Sequence, residues 1–407
     1  MNCGMNDALM LWSETQGGTC KHFDAQINSY KRVDMCSSIC FYNCVIVYES
    51  TEFANLVTLL RFCSNTNSYY EAEYITSDIT ILEVMSPFVF LSLLFLFLIH
   101  GSKGQLQIGF YSITCPIAES IVRDVVREAA LSDPTVPAGL LRLQFHDCFV
   151  EGCDGSILID NVPEPEKGAF EHQGLRGFDV IEKAKAKLEE SCPGVVSCAD
   201  IIALAAREAI VMVNGPSFEV PTGRRDGFVS EKSLADDMPD VSDSIEQLKT
   251  KFMNKGLTDK DLVLLSAAHT IGTTACFFMT KRLYNFSTSG GGSDPAISPN
   301  FLPELQEKCP QTGHENDRLA MDITTETKFD KNILRNIREG FAVLESDARL
   351  NDDARTKAVI ESYLGPFTPI FGPSFEYDFV QSIVKMGQIG VKTGSDGNIR
   401  QVCSKLH

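Results

Sequence analysis

From position 105 onward, apolar residues recur mostly at helical spacing. Ile121, Val122, Val125, Val126, Ala129 and Ala130 form one stripe, the mark of an amphipathic helix that buries a single face. Residues 201–213 are apolar nearly all round, as in a fully buried helix, and Gly215-Pro216 closes that run. Ile245, Leu248 and Phe252 predict another helix, stopped at Gly256. Thr258 and Asp261 match a capping box that opens the next one, which runs through Leu262, Leu264 and Leu265 to His269. Phe379, Ile383 and Met386 stripe a last helix. Strands are few and short, there is no internal repeat, and residues 290–293 (Gly-Gly-Gly-Ser) form a loop rather than a domain linker. The pattern predicts a mainly α fold.

The first hundred residues behave differently. The apolar run at residues 88–99 is too short to span a bilayer, which needs about 20 residues, and it fits the apolar core of a secretory signal. Met85 stands just before it, and Ser102 and Gly104 supply small residues for cleavage before Gln105. Residues 1–84 carry four Lys or Arg against ten Asp or Glu, with no sustained periodicity. We expect residues 1–84 to be an extension that is unstructured or outside the native product, 85–104 a signal peptide, and 105–407 the working domain.

Composition narrows the class. A hydrophobic fraction of 44% and a charged fraction of 22% are ordinary for a globular chain. A net charge of −18 lacks the basic footprint of a nucleic-acid binder. Of 14 cysteines, eight fall after position 105: Cys115, Cys148, Cys153, Cys192, Cys198, Cys276, Cys309 and Cys403. An even number over a domain-sized stretch reads as a disulfide framework formed in an oxidising compartment, although spacing alone leaves the pairing open.

The densest chemistry lies at residues 141–156, Leu-Arg-Leu-Gln-Phe-His-Asp-Cys-Phe-Val-Glu-Gly-Cys-Asp-Gly-Ser. On a helix, Arg142 and His146 share one face, beside Leu141, Phe145 and Phe149. A fixed cation and a titratable ring thus leave one apolar surface, followed by a cluster of oxygen-bearing residues between two cysteines. Taken alone, the pair is equally a snorkelling arginine and a packed histidine. With Phe110-Tyr111, Cys115-Pro116, Val196-Ser-Cys-Ala-Asp200, Gly223-Arg-Arg-Asp226 and the His269 segment, the chain resembles the plant secretory (class III) haem peroxidases over residues 105–403.

That resemblance implies a haem-peroxidase fold, with two helical halves enclosing one b-type haem and very little β structure. It places His146 and Arg142 on the distal side. There His146 moves a proton between the peroxide oxygens, which suits a group titrating near neutral pH, and Arg142 stabilises the charge that develops as the O–O bond breaks. It makes His269 the axial iron ligand, with Asp347 as its hydrogen-bond partner, pushing electron density toward iron. It implies two calcium ions. One is held by Asp147, Val150, Gly152, Asp154 and Ser156, with Val150 and Gly152 acting through carbonyls. The other is held by Thr270, Asp322, Thr325, Asp330 and a carbonyl near Lys328. Such oxygen sets match a hard cation.

The implied disulfides are Cys115–Cys192, Cys148–Cys153, Cys198–Cys403 and Cys276–Cys309, which removes a zinc reading of His146, Cys148 and Cys153. Pro239 corresponds to the proline lining access for aromatic donors, and Phe170, Phe218 and Phe278 are candidate walls. Asn285 heads a glycosylation sequon. One position departs from the pattern: most relatives place Asn where His172 follows Glu166, and a neutral imidazole can take over that amide's acceptor role. The function implied is hydrogen-peroxide reduction coupled to one-electron oxidation of small phenolic or aromatic donors. The protein is expected to be a secreted monomer of the extracellular space, cell wall or vacuole, with no membrane span. A catalytically retired, calcium- and disulfide-stapled wall protein is the alternative.

Overall fold

The computed structural model describes residues 44–51, 54–61, 105–286, 291–366 and 372–406. The chain divides into one unit ending at Gly101 and another beginning at Ser102. The expected signal segment lies outside the described residues, as does most of the preceding extension. Within that extension β1 (Cys44–Thr51) pairs antiparallel with β2 (Ala54–Arg61), from Cys44 opposite Arg61 to Thr51 opposite Ala54. The sequence shows no alternation there because Val45, Ile46 and Val47 run on continuously. Their β-branched side chains nonetheless favour extended backbone.

The second unit is built from helices. α1 (Ala118–Ser132) buries Ala118, Val122, Val125 and Val126 and turns its charged residues outward. α2 (Val136–Phe149) carries Pro137 in its first turn, where a missing N–H costs nothing. α3 (Phe178–Ser191) and α4 (Cys198–Met212) follow. Every residue of α4 from Cys198 to Ile210 is buried, and Ser197 caps it by accepting the Asp200 N–H. α5 (Ile245–Asn254) and α6 (Asp259–Ser266) both open with capping boxes, Ser244/Gln247 and Thr258/Asp261. α6 does not reach His269 as an α-helix: it ends at Ser266, and the backbone tightens into a 3₁₀ turn over Ala267–Thr270. Then come α7 (Thr280–Tyr284), α8 (Leu302–Lys308), α9 (Asn332–Glu339), α10 (Glu345–Arg349), α11 (Ala354–Leu364) and α12 (Phe375–Met386). β3 (Thr273–Ala275) and β4 (Arg318–Ala320) make one short antiparallel pair.

Two cores result, and α2 belongs to both. Leu140 and Leu143 pack with α1, α3 and α4 residues such as Val125, Ile181 and Ile202. Leu141 and Phe149 pack with Leu248, Leu264, Ile333 and Phe379 from the other half. Helix α2 is therefore the wall between two helical halves. A smaller core gathers around Cys276 and Cys309 with Met279, Leu283 and Phe301. Among the described residues the disulfides are Cys115–Cys192, Cys148–Cys153, Cys198–Cys403 and Cys276–Cys309, the pairing that the resemblance implied. Among the described residues no helix is long and apolar enough to cross a membrane.

Candidate active site

Arg142 and His146 sit one turn apart on α2, at the boundary between the halves. The Arg142 guanidinium donates to the carbonyls of Gln173 (3.1 Å) and Glu171 (3.4 Å), which fixes it over the turn Phe170–His172. Burial, and then the charge of Arg318, lower its pKa to about 10, so it stays cationic at neutral pH. His146 is buried, and its Nδ1 lies 2.7 Å from Nδ1 of His172. Burial foremost, then Arg142 and His172, hold its pKa well below the usual range. A neutral ring with its Nε2 unengaged is a proton acceptor next to a permanent cation.

His269 occupies the 3₁₀ turn after α6. Its Nδ1 lies 2.9 Å from both carboxylate oxygens of Asp347, which α10 supplies from the buried side. Burial disfavours the charged ring of His269, but the Asp347 carboxylate outweighs it and raises the pKa. With Nδ1 committed and the side chain 34% open, Nε2 is left as a free ligand atom. The charge of Arg142 is also felt at His269, so the two side chains lie within electrostatic reach of each other. The loop after Pro239 reaches this side, because Ser346 N–H donates to Val241 O (2.9 Å) one residue before Asp347. Pro239 itself is half-exposed beside buried Met238.

The first acidic loop leaves α2 directly after His146. Asp147 and Asp154 are buried, and Asp147 Oδ2 accepts the Gly155 N–H (3.1 Å) while its Oδ1 has no hydrogen-bond partner. Burial, then the charges of Asp154 and Glu166, push the Asp147 pKa well above the carboxylate range. Lys392 pairs with Asp154, and Lys255 Nζ donates to the Val150 carbonyl (2.8 Å). That carbonyl keeps a second lone pair. The Gly152 carbonyl accepts from Asp154 N (2.8 Å), and Ser156 Oγ donates to Glu166 Oε2 (3.0 Å). Gly152 is obligatory: at φ +106° a Cβ would stand 2.6 Å from Gly390 Cα. Glu166 is fully buried, and burial, joined by Asp154 and Glu151, raises its pKa to about 8 against the Ser156 bond.

The second loop converges on the other histidine. Thr270 Oγ1 donates to Lys328 O (3.3 Å) and accepts from Asp330 N (3.4 Å), and Thr325 Oγ1 lies 3.2 Å from oxygens of both Asp322 and Asp330. Two residues absent from the sequence reading complete it. The amides of Asn332 and Asn336 on α9 both donate to Asp322 Oδ1 at 3.1 Å. Isolated asparagines in a helical stripe carry no motif that could have announced them.

These residues suit the groups that the resemblance implies. A histidine with one nitrogen on a carboxylate and the other free suits axial ligation of haem. An orphaned, buried carboxylate oxygen among mutually repelling acids suits a cation, which would keep those carboxylates ionised. Among the described residues no three His, Cys, Asp or Glu side chains form a metal cage. Asn285 is exposed.

Comparison with known proteins agrees. A family model described as peroxidase matches residues 122–365. The chain is 66% identical over 306 residues to Peroxidase 43 of Arabidopsis thaliana, covering 75% of this chain and 94% of that one. It is 48% identical over 326 residues to Peroxidase 25 of the same plant, with 79% and 99% covered. It is 50% identical over 301 residues to Peroxidase N1 of Nicotiana tabacum, with 74% and 90% covered. The chain therefore belongs to the plant class III peroxidases, haem enzymes that act on hydrogen peroxide.

Proposed function

We propose that this peroxidase works through His146 and Arg142 on one face of a single b-type haem, and His269 with Asp347 on the other. One observation carries the reading: the two histidines have opposite electrostatic settings, one beside a cation and the other on a carboxylate. Burial and Arg142 lower the pKa of His146, whereas the Asp347 carboxylate raises that of His269.

Haem held by His269 would supply the redox chemistry, a two-electron reduction of peroxide repaid by donors one electron at a time. The chain's own residues do the rest. His146 Nε2 takes the proton from the near peroxide oxygen and returns it to the departing one, so that water can leave. Arg142, pinned by the Glu171 and Gln173 carbonyls, sits ready to stabilise the negative charge of the separating oxygen. Asp347 holds the His269 proton on Nδ1 and so keeps Nε2 available.

The acidic loop at residues 147–156 and the loop from Thr270 to Asp330 are read as two calcium sites, each adjoining one histidine. Pro239 is read as a contact for small phenolic or aromatic donors. The remaining assignments are a glycan on Asn285, a monomer, and secretion to the extracellular space, wall or vacuole.

The test is an absorbance spectrum of the holoenzyme before and after peroxide addition, repeated with His146→Leu. A shift of the Soret band is expected in the unaltered protein. Loss of the general base should slow it by about 10²–10⁴-fold. No shift, or an unslowed His146→Leu protein, overturns the reading and returns the retired wall protein to consideration.

A further inference from the structure

The turn Phe170–His172 sets a second imidazole against His146, with the two Nδ1 atoms 2.7 Å apart. A hydrogen bond between two ring nitrogens needs one N–H and one lone pair. If His146 Nδ1 carries the hydrogen, its Nε2 is a bare acceptor. If His172 Nδ1 carries it, the His146 hydrogen moves to Nε2 and the base is masked. The far side of His172 distinguishes the two. Its Nε2 is buried 3.5 Å from Glu166 Oε1, and neither atom has a hydrogen-bond partner elsewhere. Glu166 Oε2 is already engaged by the Ser156 hydroxyl. An ionised Glu166 can only accept at Oε1, which puts the His172 hydrogen on Nε2 and leaves its Nδ1 as a lone pair toward His146; the cation that the acidic loop suits would keep Glu166 ionised against the upward push of burial.

We propose that His172 is a positioning residue that holds His146 in the tautomer with a free Nε2, and that it releases this hold when it is itself protonated. The proposal rests on the reading of His146 as the base. An imidazolium at 172 has an N–H on both nitrogens. Its Nδ1 could then only donate, and His146 would have to move its own hydrogen to Nε2, where it no longer accepts. An amide at this place cannot titrate, so the acid sensitivity comes from this ring. The ionisable groups facing His172 are Arg142 and His146 from α2, Glu166 from the preceding turn and Glu171 from its own. Burial, and then Arg142, bring its pKa down to about 4 against the pull of Glu171. The ring is therefore an acceptor at mild pH and changes role in acid.

The test compares the unaltered holoenzyme with His172→Asn, His172→Leu and His146→Leu in stopped-flow pH jumps. One readout is the rate of reaction with peroxide. The other, independent of turnover, is the rate of hydrogen cyanide binding, which calls on the same free Nε2. His172→Leu, lacking an acceptor, is expected to slow both by about 10–100-fold at neutral pH with its Soret band unchanged. His172→Asn is expected to restore most of both rates and to move the acid limb to lower pH. Unchanged rates in His172→Leu, or an Asn variant that keeps the original acid limb, overturn the proposal. If His172→Leu fails to bind haem, the acid limb of His172→Asn decides. If His146→Leu leaves both rates unaltered, the failure belongs to the base assignment rather than to His172.

Discussion

His269 and Asp347 show how one contact can set a site's chemistry. The carboxylate meets Nδ1 from the buried side, so the ring is fixed in orientation and in tautomer, and electron density is directed to Nε2. Asp347→Asn removes the charge and keeps the shape. A hydrogen bond to a charged group is worth about 1.5–3 kcal/mol, so the haem reduction potential should rise by on the order of 60–130 mV. Spectroelectrochemical titration would read this, and an unchanged potential would refute the role given to Asp347. The types and spacing of Arg142, His146 and His269 were legible in the sequence because each lies in a distinctive run. The nitrogen by which His172 meets His146, and the asparagines that brace Asp322, were not. Those depend on side-chain geometry between segments far apart in the chain.

At the scale of elements, α6 matters most because it carries the turn with His269. Its start is held twice by Asp261, which caps Thr258 and takes both Ser382 Oγ (2.8 Å) and Lys385 Nζ (2.6 Å) from α12. Burial opposes ionisation of Asp261, but the bonds from Lys385, Thr258 and Ser382 win, and its pKa is lowered. A depressed carboxylate contributes stability above its unfolded pKa and loses it as pH falls through the folded value. Asp261→Asn should therefore cost about 1–2 kcal/mol at pH 7 and progressively less below pH ~4. Urea unfolding at the two pH values tests the sign, and an equal deficit at both would refute it. Calcium removal acts at the same scale. Without the proposed cation, buried Asp147, Asp154 and Glu166 would repel one another close to His146, so chelator treatment should lower the melting temperature and the peroxide rate together, with recovery on calcium addition. A chelated protein with both values intact would argue against the loop assignment. The capping box at Thr258 was readable in the sequence. The tightening after Ser266 was not, since periodicity does not separate an α turn from a 3₁₀ turn.

The whole catalytic unit is tied end to end by Cys198–Cys403, which spans 205 residues and fastens the C-terminal segment to the start of α4. Removing both cysteines should lower stability by about 2–5 kcal/mol while leaving the Soret band in place. Denaturant titration checks this, and unchanged stability would mean that the tail's hydrogen bonds, such as Arg400 N–H to Asp226 and Leu406 N–H to Asn161, hold it without the disulfide. At the other end, the sequence predicts a mature terminus at Gln105. N-terminal sequencing of the protein from its source tests it, and a terminus before Met85 would show that the acidic extension is part of the native product.

The sequence by itself determined which residue types are present and which surfaces must be buried. Apolar spacing predicts the helices, the cysteines predict an oxidised framework, and the Arg142–Ser156 run carries the chemistry of a peroxide site. These are local properties, set by side-chain type and by the 3.6-residue period. Tertiary structure decided what those residues do to one another. Only folding buries His146 beside Arg142, sets Asp347 against His269 from 78 residues away, and leaves Asp147 Oδ1 without a partner. Charge–charge and desolvation effects depend on distance and burial, which linear spacing does not encode.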